Sequence, residues 1–533
     1  MKRLERLVWC ACLAFSMALV SVVARKTTAQ NSLTLPESRG KQIYLRGTSP
    51  SGKDILAYVG DSALEMPGSS MPCANCHGLD GQGKPEGSIN PSNITWELLT
   101  KPYGLTHPDG RKHPPYTDRA LELAITRGTD PAGNRLLNVM PRYVMSRPDL
   151  DDLVAYLGKL GKDRDPGVSE SAIVIGLAVP ARGALAELGQ AIRAVTTACF
   201  DDVNTQGGIY NRRIELKFAE TADTAAGTRV NVERLIRDEQ VFALTGTVIA
   251  GAENEIIPLM AERGVPLIGP VTLYPQTTFP MNREVFYLLS GIDGQARVLI
   301  DFTLQKPELK NANIAVVYPQ KEITAKIIEA INDQCGKDRL SPPQTYPYAA
   351  GSLAVAEITK QLKQANRQVV IFLGSGDEAL SLMREAQKVD WYPFIFLLGS
   401  SGGAEMLQAP SGFNGKIFLS FPTTPADQTA AGIKDFRALA EKYKLPSKHL
   451  AAQLSAFTAA RLLVEALRRA GKDLSREKLI RALEELYDYQ TGLTPPITYG
   501  PNRRIGAMGA YVITVDLDAK QFVPASDWIN LNN

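Results

Sequence analysis

The feature that most restricts the fold is a series of short, almost continuous apolar runs in the last two thirds of the chain. They are Ala172–Val179, Ile214–Ala219, Val241–Val248, Pro266–Val271, Ile314–Tyr318, Val369–Leu373, Phe394–Leu398 and Lys416–Phe421. Stretches with apolar residues at helical spacing lie between them. A strand that is apolar on both faces has to be covered on both faces, and the alternating helices supply the cover. This pattern predicts an α/β region of doubly wound parallel sheets, and roughly 360 residues of it predict two lobes.

The chain before residue 163 has a different texture. Pro36–Arg46 reads as a short amphipathic helix with Ile43 and Tyr44 on its apolar side. Leu150, Leu153, Val154 and Leu157 mark a second helix, with Ser146 placed as its N-cap and Pro148 and Asp149 in its first turn. Between them stands Cys73-Ala74-Asn75-Cys76-His77. Two thiols two residues apart and followed by histidine are the attachment pattern of a c-type haem: each sulfur closes a thioether, and the imidazole becomes the proximal iron ligand. A CxxC pair also serves redox and zinc sites. The adjacent histidine and the export signal described below favour one covalent haem c. Four residues are candidates for the sixth iron ligand: Met140, Met145, His107 and His113. Ser49–Pro72 is a long insertion before Cys73. Arg111, His113, Tyr116 and Trp96 are candidates either for a haem-propionate or docking role, or simply for a loop that covers the haem edge.

Lys2, Arg3 and Arg6 precede an apolar run from Leu7 to Ala24, which reads as a secretory signal peptide at 1–29 or an uncleaved anchor, and hence a periplasmic location. The formal charge is +3. Five bases against Glu5 in residues 1–30 account for more than that, so the remainder carries one net negative charge and no nucleic-acid partner is expected. Cys199 and Cys335 fall in different lobes and read as small buried residues, with a disulfide as the alternative.

Two family resemblances follow. Asn138-Val139-Met140-Pro141-Arg142-Tyr143 before the second helix, together with the haem motif, resembles class I cytochrome c. That likeness implies an all-α domain at 31–162 with Met140 as distal ligand and Met145 as ordinary packing. Ile173-Val174-Ile175-Gly176-Leu177, Asp202–Ile209, Phe242–Thr247 and Gly264–Pro270 resemble type I periplasmic solute-binding proteins of the branched-chain amino acid receptor group. After a linker at 163–171, this implies a two-lobed α/β binding domain at 172–533. Lobe 1 is expected at about 172–292 and 421–495, and lobe 2 at about 293–420 and 496–533. A ligand is expected in the cleft at the strands' carboxyl ends.

By the same resemblance the cleft residues are Thr247, Ala250, Gly251, Thr272, Leu273, Ser400 and Ser401. The relatives place a hydroxyl for a ligand carboxylate where this chain has Val248–Ala252, and a threonine where it has Leu273. No acidic partner for an ammonium group stands in Gly399–Gly402. The expected ligand is therefore small and neutral or weakly polar, or else the cleft has lost its ligand. The resemblances imply as partners a periplasmic dehydrogenase or an oxidase-linked cytochrome, and an ABC permease as the alternative. No catalytic constellation is expected: His449 reads as a capping or surface residue, Ser375 or Asp377 as a helix cap, and Arg503-Arg504 as a solvated hairpin tip.

Overall fold

The structure is a computed structural model and describes residues 33–84, 90–107, 110–276 and 280–531. The expected signal peptide at 1–29, with Cys10 and Cys12, lies outside the described residues. The chain divides into two compact units, one ending at Pro166 and one beginning at Gly167.

In the front unit the helix Leu35–Arg46 starts with a reciprocal cap between Thr34 and Glu37 and stops at Gly47, whose φ of 64° no β-carbon favours. It packs on the helix Arg147–Leu157, which Ser146 caps as expected. Gly40 makes the close approach possible, since a β-carbon there would lie 2.0 Å from the Asp152 carbonyl oxygen. Arg39 donates to both Asp152 carboxylate oxygens, at 2.5 and 2.9 Å. The long insertion before Cys73 folds as a hairpin of β1 (Leu56–Val59) and β2 (Leu64–Pro67). Two short strands, β3 (Leu105–Thr106) and β4 (Lys112–His113), close the next loop on itself. The final strand of the unit, β5 (Arg142–Val144), pairs antiparallel with β1, so the hairpin lies against the segment just after Met140.

The second unit begins with β6 (Ala172–Val179), β7 (Arg213–Glu220), β8 (Ala243–Thr245), β9 (Leu267–Ile268) and β10 (Val285–Leu289) in one sheet. The next five strands, β11 (Ile314–Pro319), β12 (Gln344–Tyr348), β13 (Val369–Phe372), β14 (Phe394–Leu398) and β15 (Ile417–Phe421), form a second sheet. Helices Ala430–Tyr443, Leu450–Ala470 and Arg476–Glu484 then return to cover the first sheet. There β16 (Ile505–Ala507) joins it, before β17 (Gly509–Asp516), β18 (Gln521–Pro524) and β19 (Ile529–Asn530) finish the second. The first sheet is wholly parallel, in the order β16-β10-β9-β8-β6-β7. The second is parallel from β12 to β15 and ends in antiparallel strands.

This topology moves the expected lobe boundary at 495/496. Ile505 and Ala507 pair in parallel with Tyr287 and Leu289, so the final passage between lobes falls at Met508. The buried strand β10, absent from the predicted runs, supplies the edge that captures β16. Arg504 is a second correction. Far from being solvated, it is 2% exposed, donates to Glu484 at 2.6 Å and lies 4.5 Å over the Phe286 ring. Cys199 and Cys335 are buried in the cores of different lobes, so no bridge joins them.

Candidate functional site

Pro72 starts a single helical turn, Cys73–His77, that carries both thiols and the imidazole. His77 Nδ1 lies 2.9 Å from the Ser92 carbonyl oxygen. An N–H donated there fixes the tautomer with Nε2 bare, the atom a proximal iron ligand uses. Burial holds the imidazole below its usual range, although the bond to Ser92 opposes this. The donor set therefore fits a covalent c-type haem: Cys73 and Cys76 for the thioethers and His77 for the iron.

Tyr143 connects this turn to the Met140 loop. Its hydroxyl donates to the Met71 carbonyl at 2.6 Å, two residues before Cys73. Met140 itself is half-buried and stands outside the apolar core, whereas Met145 packs against that core. Both flanks of Met140 are held. Gly60 N donates to Asn138 O at 3.0 Å, and Asn138 also bonds to Asp61. The Arg142 guanidinium donates to the carbonyls of Leu136 and Met140. The two histidine candidates are engaged with each other: their Nε2 atoms lie 3.0 Å apart, and His113 Nδ1 is 2.8 Å from Pro114 O. Arg111 pairs with the fully buried Asp130 carboxylate at 2.8 Å.

In the second unit, Gly246 and Gly269 take φ of 60° and 59° at matching points just after β8 and β9. Both strands end there, and Val248 and Val271 meet again in a single parallel bridge. The loops so formed carry the first group of predicted cleft residues. Thr247 is fully buried and its hydroxyl accepts from Ala178 N at 3.2 Å, so it serves the core. Ala250, Gly251 and Leu273 are exposed, and Thr272 is half-buried. The carboxylate of Glu253, which sequence reasoning passed over, joins the two loops. It accepts from Gly251 N at 2.8 Å and from Thr272 Oγ1 at 2.5 Å.

On the other lobe a cavity of about 690 Å³ opens at the carboxyl ends of β11, β13 and β14, and Ser400 and Ser401 line it as expected. The sequence reading of a cleft with no carboxylate near Ser400 does not hold: Asp377, Glu378 and Glu405 also line it, with Lys321 as the one cation among the lining residues. Glu405 arrives from a short 3-10 turn, Ala404–Gln408, and Glu378 from the helix Gly376–Lys388, which Ser375 caps as expected. The only sequence signal for Glu378 is its place three residues after that cap. The lobes meet beside these loops, where Ile292 N donates to Leu273 O at 2.8 Å and Lys326 Nζ sits 5.1 Å from the Tyr274 ring centroid.

The fold and these two sites define a cytochrome c domain joined to a two-lobed periplasmic-binding domain. Family models match accordingly: Cytochrome c over residues 69–161 and Periplasmic binding protein over 172–521. The second match spans most of the chain, which belongs to the periplasmic binding protein family. Among curated relatives, Leu/Ile/Val-binding protein homolog 3 of Brucella melitensis is 22% identical over 322 residues, covering 60% of this chain and 85% of the relative. Among solved structures, a branched chain amino acid ABC transporter protein from Thermus thermophilus with bound valine aligns with a TM-score of 0.55 at 17% identity, covering 68% of this chain and 97% of that one. A fatty acid ABC transporter substrate-binding protein from Thermomonospora curvata aligns with a TM-score of 0.54, again at 17% identity, covering 70% and 95%.

Proposed function

We propose that this chain is an exported, periplasmic electron carrier whose second unit binds a small molecule, and that one haem c is held by Cys73, Cys76, His77 and Met140. Bound haem c supplies one-electron exchange. The chain's own part is to fix the His77 tautomer through Ser92 and to hold the Met140 loop through Arg142, Asn138 and Tyr143. The observation that carries this reading is the His77–Ser92 contact on the same helical turn as both thiols. The test is the near-infrared methionine-to-ferric-iron band of the purified protein, expected in wild type and lost in Met140→Ala. A wild type that lacks the band and binds carbon monoxide readily would overturn the carrier reading in favour of an open iron position.

The second unit is read as closing its lobes on a small molecule, as part of a periplasmic dehydrogenase pathway in which the haem passes electrons to a partner protein. Saturating ligand should then shift the haem potential or the electron-transfer rate to the partner, and no change in either would sink the coupling. The relatives' names favour a second reading, a receptor for an ABC permease with an accessory haem domain. Ligand-dependent stimulation of a permease's ATPase activity would favour it.

A further inference from the structure

Arg142 stands two residues after Met140, and its guanidinium turns back onto the loop that the chain has just left. It donates to the carbonyls of Leu136 at 2.8 Å and Leu137 at 3.4 Å, and to that of Met140 itself. The space for it is left by Gly128, which ends the helix Asp118–Arg127 at a φ of 65°. A β-carbon on Gly128 would overlap the guanidinium. The Gly128 carbonyl also accepts from Leu136 N at 2.8 Å, so the same glycine ties down the start of the loop.

What sets Arg142 apart is the state of its charge. Arg39, Arg111, Arg119 and Arg147 of the same unit each meet a carboxylate. Arg142 is half-buried, makes no ion pair among the described residues, and spends its hydrogen bonds on backbone carbonyls. The acids beside it are Asp61, bonded to Asn138, and Glu65, bonded to Tyr58, the residue that pairs with Arg142 across the sheet. Both acids are exposed, where water and salt screen them. A positive charge held next to an iron ligand opposes the ferric state more than the ferrous, because oxidation adds a positive charge to the same poorly screened region. We propose that Arg142 sets the reduction potential of the haem, its uncompensated charge at the Met140 carbonyl favouring the ferrous state. The proposal rests on reading Met140 as the distal ligand and adds a second residue that tunes the site through its field.

The experiment is a spectroelectrochemical titration of the full-length haem-loaded protein, with the near-infrared methionine band recorded for each variant. Arg142→Gln removes the charge and keeps an amide donor for the loop, whereas Arg142→Lys keeps the charge and loses the planar fork. At fixed potential, Arg142→Gln should shift the ferrous-to-ferric ratio about tenfold toward ferric, a fall of about 59 mV for a one-electron couple, with the band still present. Arg142→Lys should keep most of the wild-type potential, and the unfolding midpoint of each variant checks that it is folded. An unchanged potential in Arg142→Gln with the band present overturns the proposal and leaves Met140 as ligand. An equal fall in both variants also overturns it, since one of them still carries the charge. Loss of the band in Arg142→Gln assigns Arg142 to holding the loop alone and removes the electrostatic role. A wild type without the band overturns the Met140 reading, and the proposal with it.

Discussion

At the scale of single residues, Arg504 and Glu253 show how much a charge depends on where the fold puts it. Arg504 has its guanidinium against Phe286, one amine on Glu484 and another on the Gly500 carbonyl. Removing one member of a buried pair leaves the other charge unpaired in a poor solvent for it. Arg504→Met should therefore cost about 3–5 kcal/mol of unfolding free energy by denaturant titration, and Glu484→Leu in the same chain should recover much of it. An equal loss in the double variant would show that packing, not the uncompensated charge, sets the cost. The basic pair Arg503-Arg504 beside Pro501-Asn502 carries no signal of this in sequence. Phe286, whose ring lies against the guanidinium, comes from a segment more than 200 residues earlier.

Among the elements, the helix pair of the front unit was legible almost residue by residue, because caps and apolar spacing are local properties. Gly40 was not, since nothing local distinguishes a helix glycine that admits a neighbouring backbone from one that merely weakens the helix. Gly40→Ala places a methyl group against the Asp152 carbonyl. It should cost about 1–3 kcal/mol by overpacking, where helix propensity alone would predict a gain. Thermal unfolding followed at the haem absorption reports the sign, and a gain would mean that the helices separate at no cost. The insertion at Ser49–Pro72 was recognised as extra length, and its folding as a hairpin on β5 was not. Its pairing partner lies more than 70 residues away and follows the Met140 loop it supports.

For the whole molecule, the second unit is two sheets joined by three passages: after β10, after β15 and at Met508. The passage after β15 is tied down by one carboxylate. Asp427 accepts from Thr423 Oγ1 at 2.8 Å, Thr424 N at 2.8 Å and Tyr511 Oη at 2.5 Å. Charge-assisted hydrogen bonds of this kind contribute roughly 1.5–3 kcal/mol each. Asp427→Ala should therefore raise amide exchange across residues 421–429 by about tenfold or more, while β13 and β14 keep their protection. Unchanged exchange at the passage would show that its backbone path is fixed by other contacts.

Local sequence was enough to single out Cys73-Ala74-Asn75-Cys76-His77 as the candidate haem-attachment motif, and to read the two-part division, the alternating α/β order and the position of most strands. Each of these depends on neighbours close along the chain: a five-residue motif, a helical or strand period, a cap three residues from its partner. Folding in three dimensions was needed to place β16 in the first sheet, to turn Thr247 inward, to tie two loops of the first lobe together through Glu253, and to bring Glu378 and Glu405 to the wall of the second-lobe cavity. Those outcomes come from segments far apart in sequence meeting at strand ends, and no local pattern records which side chain arrives at a shared space.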